Sequence, residues 1–273
     1  MEYILQTDNL SKIYGAKTVL DHVSIHVPKK SIYGLVGKNG AGKTTLMRII
    51  CGLTQQSEGS YTLLGKSNDA VVRKNMGMLI EKPGIYEHMT ALENLRYFSL
   101  LFGIQSKDHH RILEMVGLQN AGKKKASQFS LGMKQRLGIA ISLLGNPDFL
   151  ILDEPINGLD PEGVYEIRKM LESLNREHGT TIMIASHILS ELHKLATHYA
   201  PLLMADASLM SLPKKRWSMH AAAASRLRLN RNTCKMQKHS LPPAIPMSDV
   251  KFSLIKACIC MRKSIRRILT NSW

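Results

Sequence analysis

Nine residues, Gly37-Lys38-Asn39-Gly40-Ala41-Gly42-Lys43-Thr44-Thr45, constrain this chain more than any other stretch. They fit G-x-x-x-x-G-K-[ST], a loop between a strand and a helix that wraps phosphates with backbone N–H groups. The flanks supply that context: Ile32-Tyr33-Gly34-Leu35-Val36 reads as a strand, and a helix is expected from Lys43 to Ile50. A helix N-terminus aims the positive end of its dipole at an anion. Glycine serves where the backbone must come close to that anion or take a positive φ. Gly37, Asn39, Gly40, Ala41, Gly42 and Thr45 are therefore expected to line the phosphates. Lys43 should reach the β- and γ-phosphates, and Thr44 should offer its hydroxyl to Mg²⁺. The chain is expected to bind a nucleoside triphosphate.

The rest of the first 200 residues alternates strands with helices, which predicts an α/β fold with a largely parallel sheet. Tyr3 to Asn9 and Val19 to Val27 alternate as strands, with a bend near Asp21 and His22. Gly59 to Leu64 and Met76 to Ile80 read as two more. Thr90-Ala91-Leu92-Glu93 is a capping box, and behind it Leu92, Leu95, Ser99 and Phe102 form one helical stripe. Further helices are expected over Asp108–Val116 and Ser130–Leu144. The segment from about 82 to 145 should thus form a helical lobe. Phe149-Leu150-Ile151-Leu152 is a continuous apolar run of parallel-strand character. Asp160-Pro161 opens a helix with a cap and a first-turn proline. A strand from Thr180 to Ala185 and a helix from Ile188 to about Ala196 complete the series.

The apolar run ends in Asp153-Glu154. Downstream of a phosphate loop, Asp153 can hold the metal shell, and Glu154 is placed to polarise or deprotonate an attacking water. With these residues the chain resembles the nucleotide-binding subunits of ABC transporters, over about residues 1–198. The resemblance implies a P-loop ABC-type ATPase domain binding ATP and Mg²⁺. It places Tyr14 where an aromatic ring stacks on adenine; the alternative reading of Tyr14 is a half-buried strand-end tyrosine. Phe129-Ser130-Leu131-Gly132-Met133-Lys134-Gln135-Arg136 resembles the family signature, with Leu131 and Met133 as departures. Ser130 and Gly132 are retained, the positions that would contact the γ-phosphate bound to a second copy. Asn157-Gly158-Leu159-Asp160 resembles the loop that lines the dimer interface, and Ser186-His187 resembles the switch histidine that senses the γ-phosphate.

One departure is informative. Where the family usually carries a glutamine that touches Mg²⁺ and couples to the membrane partner, this chain reads Leu79-Ile80-Glu81-Lys82-Pro83. Glu81, together with Ile156, resembles the bacitracin-resistance and lantibiotic-immunity branch. A carboxylate there can still coordinate Mg²⁺, while adding negative charge beside the nucleotide. The resemblance implies an ATPase subunit that pairs with a second copy and a membrane-spanning permease, on the cytoplasmic face of a bacterial membrane. A peptide antibiotic is the implied cargo. The competing class is a soluble ABC ATPase of translation or DNA repair. Such relatives carry tandem cassettes or long inserted arms, whereas only 48 residues (82–129) separate Glu81 from Ser130. No nucleic-acid partner is expected.

Composition adds two constraints. No apolar run approaches the roughly 20 residues that cross a bilayer, and no secretory signal opens the chain, so a cytosolic or peripheral protein is expected. Four cysteines, Cys51, Cys234, Cys258 and Cys260, make neither a disulfide framework nor a zinc site. The net charge of +16 is unevenly spread: residues 1–200 hold 23 Lys+Arg against 19 Asp+Glu, residues 201–273 hold 14 against 2. The family-like text stops near His198-Tyr199, and residues 199–273 read as a basic tail without periodicity. Two readings stand. One is a genuine basic extension that meets lipid or nucleic acid. The other is a frameshift: codons for Leu202–Arg216 started one base earlier can spell Ile-Ile-Asn-Gly-Gly-Arg-Leu-Ile-Asp-Glu-Leu-Thr-Lys-Lys-Glu. That text resembles the hairpin the family has there, so the tail would be disordered or out of frame and the product inactive.

Overall fold

The computed structural model describes residues 2–67, 72–105, 108–202 and 212–213. Two sheets share the core. The first is antiparallel: β1 (Tyr3–Tyr14) pairs with β2 (Lys17–Val23), with β3 (His26–Pro28) and with β5 (Glu58–Leu63), which turns back into β6 (Lys66–Ser67). The expected single strand Val19–Val27 is thus two, interrupted at Ser24 and Ile25, while the expected bend falls inside β2 at His22, which holds a φ of 46°. β2 and β3 meet different stretches of one long β1, and the break lets the chain change partners along it.

The second sheet is largely parallel. Its order among the described residues is β11 (Leu212–Pro213), β10 (His198–Pro201), β4 (Ile32–Val36), β9 (Thr181–Ser186), β8 (Phe149–Asp153), β7 (Met76–Leu79). Only β11 runs antiparallel, against β10. Every residue of β8 and β9 is buried, as continuous apolar runs in a sheet covered on both faces should be. Alternate side chains go to opposite cores. Leu150, Leu152, Ile182 and Ile184 pack on one side with the helices, while Phe149, Ile151, Met183 and Ala185 pack on the other with α1 and the antiparallel sheet. α1 (Lys43–Ile50) starts and stops where the sequence predicts.

The helical lobe is built from α2 (Ala91–Leu101), α3 (His109–Met115) and α4 (Leu131–Ser142). The capping box forms as read: Thr90 Oγ1 accepts from Glu93 N, and Glu93 Oε2 from Thr90 N at 2.7 Å. The buried stripe of α2 is Ala91, Asn94, Leu95 and Ser99, whereas Phe102 lies past the last turn and is exposed. Asn94 is the unexpected member. Its amide donates to the carbonyls of Tyr86 and Thr90 and accepts from Tyr86 N at 2.8 Å, so a buried polar group ties down the loop entering the lobe. α5 (Pro161–His178) buries Ile167, Met170, Leu171 and Leu174 and stops at Gly179, and α6 (Leu189–Leu195) leads into β10. β10 runs across the expected boundary at residue 198: Pro201 pairs with Val36, and Leu202 is buried beyond it. The remainder of the tail, and with it the question of frame, lies outside the described residues apart from Leu212 and Pro213.

Lobe and sheet meet without a gap at Gly77. A Cβ there would sit 1.9 Å from the carbonyl oxygen of Ser142 in α4. Gly77→Ala is therefore expected to force β7 and α4 apart and to destabilise the protein by about 3 kcal/mol, read as a lowered midpoint in urea unfolding.

Candidate nucleotide and hydrolysis site

Parallel strands end together, and here the ends carry the chemistry. Val36 lies opposite Ser186, Asp153 opposite Ala185, and Leu79 opposite Leu152. The loops that follow β4, β7, β8 and β9 therefore leave one edge of the sheet, bringing Gly37–Thr45, Glu81, Glu154 and His187 to the same place. The phosphate loop has no slack. A Cβ on Gly37 would lie 2.6 Å from the Leu202 carbonyl, and one on Gly42, at φ 94°, would lie 2.6 Å from Leu20 Cδ2. Gly42 is thus held by conformation and by the close approach of β2, and glycine alone fits.

Lys43 is almost fully buried at 6% exposure. Its ammonium donates to the carbonyls of Gly37 (2.7 Å) and Lys38 (3.1 Å) and stands 3.6 Å from Glu154 Oε1. The other oxygen of Glu154 lies 2.9 Å from His187 Nδ1. Glu154 is thus held between a cation and an imidazole, on a backbone with φ of 49°. Beside it Thr44 Oγ1 donates to Asp153 Oδ2 at 2.6 Å. The second carboxylate oxygen of Asp153 is buried and has no hydrogen-bond partner. Burial pushes the Asp153 carboxyl up, against the Thr44 hydrogen bond that pulls it down; Glu154 raises it further and Lys43 lowers it.

A hydroxyl–carboxylate pair with an orphaned, buried oxygen is the donor set a hard divalent cation takes. Among the described residues no group of three or more His, Cys, Asp and Glu side chains could enclose a metal unaided. Mg²⁺ commonly takes one or two protein oxygens and completes its shell with phosphates and water, so the pair fits it. The expected third ligand, Glu81, is turned elsewhere. Its carboxylate is ion-paired with Arg48 in the last turn of α1.

The sequence model of the family described as ABC transporter matches residues 20–157. The chain belongs to the ABC transporter family. It is 48% identical over 200 residues to the bacitracin transport ATP-binding protein BcrA of Enterococcus faecalis, covering 72% of this chain and 65% of that one. It is 46% identical over 193 residues to the lantibiotic transport ATP-binding protein SrtF of Streptococcus pyogenes, covering 71% of this chain and 84% of that one. The chain spans just under two thirds of the length of BcrA. In fold it matches cbiO1 of Clostridium perfringens, part of the ABC transporter complex cbiONQ, with a TM-score of 0.72 at 24% identity over 85% of this chain and 96% of that one. It also matches the dimeric cassette MJ0796, with a TM-score of 0.65 at 24% identity over 73% and 94%. The fold is that of an ABC ATPase cassette, a mixed sheet core with a helical lobe.

Other residues singled out in the ABC sequence pattern have their hydrogen-bond and packing partners outside this cluster. Ser130 caps α4, accepting from Met133 N at 3.2 Å, and Asp160 caps α5, accepting from Gly163 N at 3.3 Å. Their loops touch each other: a Cβ on Gly158 would lie 3.2 Å from Leu131 Cδ2, and one on Gly132 would lie 3.7 Å from Leu159 Cδ2. Leu131 is half exposed. Tyr14 ends β1 and is 47% exposed, and the Lys12 ammonium lies over one face of its ring at 4.7 Å while donating to the Gln55 carbonyl. The sequence pattern does not single out Lys12 or Arg48. Period is the available signal: Lys12 is two residues before Tyr14 on a strand, and Arg48 is four after Thr44 on a helix, each on the same face as its neighbour.

The elevated Asp153 pKa has a consequence with a fixed sign. Between the unfolded value near 3.9 and the higher folded one, the native state binds more protons than the unfolded chain. Stability therefore falls as pH rises through that window. Asp153→Asn removes the ionisation and is expected to stabilise the nucleotide-free protein at pH 7. The gain should vanish below about pH 4, as thermal melts across pH would show.

Proposed function

We propose that this chain is the ATP-binding and ATP-hydrolysing subunit of a transporter that exports a peptide antibiotic, such as bacitracin or a lantibiotic, through a separate membrane-spanning permease. Glu154, held between Lys43 and His187 beside the Thr44–Asp153 pair, carries the hydrolytic part of this reading. The 46–48% identity to subunits named for bacitracin and lantibiotic transport supports the cargo.

In this reading the backbone N–H groups of the phosphate loop and the α1 N-terminus bind the triphosphate, and Tyr14 offers its open face to adenine. Lys43 leaves the Gly37 and Lys38 carbonyls for the β- and γ-phosphate oxygens. Glu154 accepts a proton from the water that attacks the γ-phosphorus, and ADP departs with the broken P–O bond. His187 holds the Glu154 carboxylate in line and can reach the γ-phosphate. Thr44 and Asp153 would hold Mg²⁺, which would neutralise phosphate charge; Glu81, called as a third ligand in the sequence, would have to leave Arg48 to join them. Two copies enclose two nucleotides. Ser130 and Gly132 of each copy complete the other's site, with Asp160 on the same face. That role accounts for signature and interface loops lying together at a half-exposed leucine, away from their own phosphate loop. Closure and reopening of this pair would move the helical lobes against the permease. Among the described residues no helix is long and apolar enough to cross a membrane, which agrees with a peripheral position on the cytoplasmic face.

Purified protein should hydrolyse ATP with Mg²⁺. Glu154→Gln should lower kcat by at least about 100-fold while ATP still binds, and ATP should drive that variant into dimers on gel filtration. A rate that survives the substitution would overturn the assignment of Glu154. Co-expression with the matching permease should raise bacitracin or lantibiotic tolerance, and Glu154→Gln should abolish the gain.

A further inference from the structure

Glu81 leaves the end of β7 with φ of 64°, a left-handed backbone that is costly for a residue with a Cβ. Its carboxylate goes to Arg48, on α1, one turn beyond Thr44. The two side chains are 59% and 43% exposed, so the pair contributes little to stability. Its position matters more. Leu79 pairs with Leu152, so Glu81 and Asp153 lie at the ends of adjacent strands, and Glu154 adds another carboxylate to the same edge. Lys43 is already engaged by Glu154. A triphosphate entering this site brings three or four more negative charges. An acidic side chain free to swing toward the phosphates would oppose its entry. The segment after Glu81 is also mechanically committed, because Pro83 packs against α4 so closely that a Cβ on Gly138 would meet it at 2.6 Å.

We infer that Arg48 is a positioning residue that holds the Glu81 carboxylate against α1, off the path of the triphosphate, and so allows an acid at this position in a phosphate site. The inference rests on the ATP-binding reading. It also makes the Arg48–Glu81 pair the tie between the phosphate-binding helix and the strand end that enters the helical lobe. When a divalent cation accompanies the nucleotide, a released Glu81 gains an attractive partner, so the need for Arg48 falls.

The test is ATP affinity of the 273-residue chain by calorimetry, in EDTA and again with Mg²⁺. Arg48→Met keeps the aliphatic stem. In EDTA it should weaken ATP binding about fivefold when Glu81 is present and by less than about twofold in the Glu81→Gln background. Mg²⁺ should shrink the loss in the protein that keeps Glu81. Arg48→Lys, which keeps the charge, should recover most of the affinity. Equal losses with Glu81 intact and in the Glu81→Gln background, or no loss in either, would overturn the inference while leaving the ATPase assignment standing. Wild-type protein that fails to bind ATP would overturn both.

Discussion

The parallel pairing of β4, β9, β8 and β7 is the constraint on which everything else depends. Strands paired in this direction end at one edge, and the ladder fixes which residue ends beside which. Val36, Ser186, Asp153 and Leu79 are set within a residue or two of the same line. The phosphate loop, the Asp153–Glu154 pair, His187 and Glu81 are far apart in the chain and arrive together for this reason alone. A one-residue slip of β8 would exchange its two faces, putting Leu150 and Leu152 where Phe149 and Ile151 now pack. Burial on both faces forbids the slip, so the same apolar run that stabilises the sheet also sets the position of Asp153.

The site that results concentrates charge in a dry place. Lys43 is buried among carbonyls, Asp153 is buried with half its carboxylate unpaired, and Glu154 bridges a cation and an imidazole. Such an arrangement is unfavourable to the fold by itself, since buried polar groups without partners cost about 1–3 kcal/mol each. Under the proposed function the cost is sensible, because each unmet demand is one that a bound nucleotide and its counter-cation would satisfy. The lone oxygen of Asp153 asks for a cation. Lys43, resting on the loop's own carbonyls, has weaker partners there than phosphate oxygens would be.

How much of this is legible in the sequence follows from what each signal encodes. α1, the capping box, the α5 cap with its proline, and the buried strands are written locally, in period and punctuation, and are readable to within two residues. The glycine-rich loop and the Asp153–Glu154 pair are readable because the strand, turn and helix signals around them are local in the sequence. The break between β2 and β3 is not legible, because the alternation of Val19–Val27 continues through it and only the competing partners on β1 interrupt the strand. Asn94 and Arg48 have partners that are not legible, for a related reason. Each looks like an ordinary polar residue on a helix, and its role lies in a partner, the Tyr86–Thr90 loop or Glu81, whose location the helix itself does not encode. Phe102 misleads for the opposite reason: it keeps the period of α2 after the helix has ended.

Two acidic residues of the site, Glu81 and Glu154, hold left-handed backbones at strand ends, where glycine would be at ease and a side chain costs about 1–2 kcal/mol. The cost is informative because glycine was available and would remove the carboxylate. Glu154 N donates to the Ala185 carbonyl, so the left-handed turn is fixed by the neighbouring strand before the side chain is considered. The turn then points the carboxylate back along the sheet edge, between Lys43 and His187, where an extended residue would have carried it onward with the chain. Glu81 shows the same geometry without the same confinement, since its side chain is more than half exposed. A confined carboxylate is aimed by its backbone; an unconfined one needs a partner to aim it. That difference explains why Glu154 sits within the cluster and Glu81 leans on Arg48 across α1.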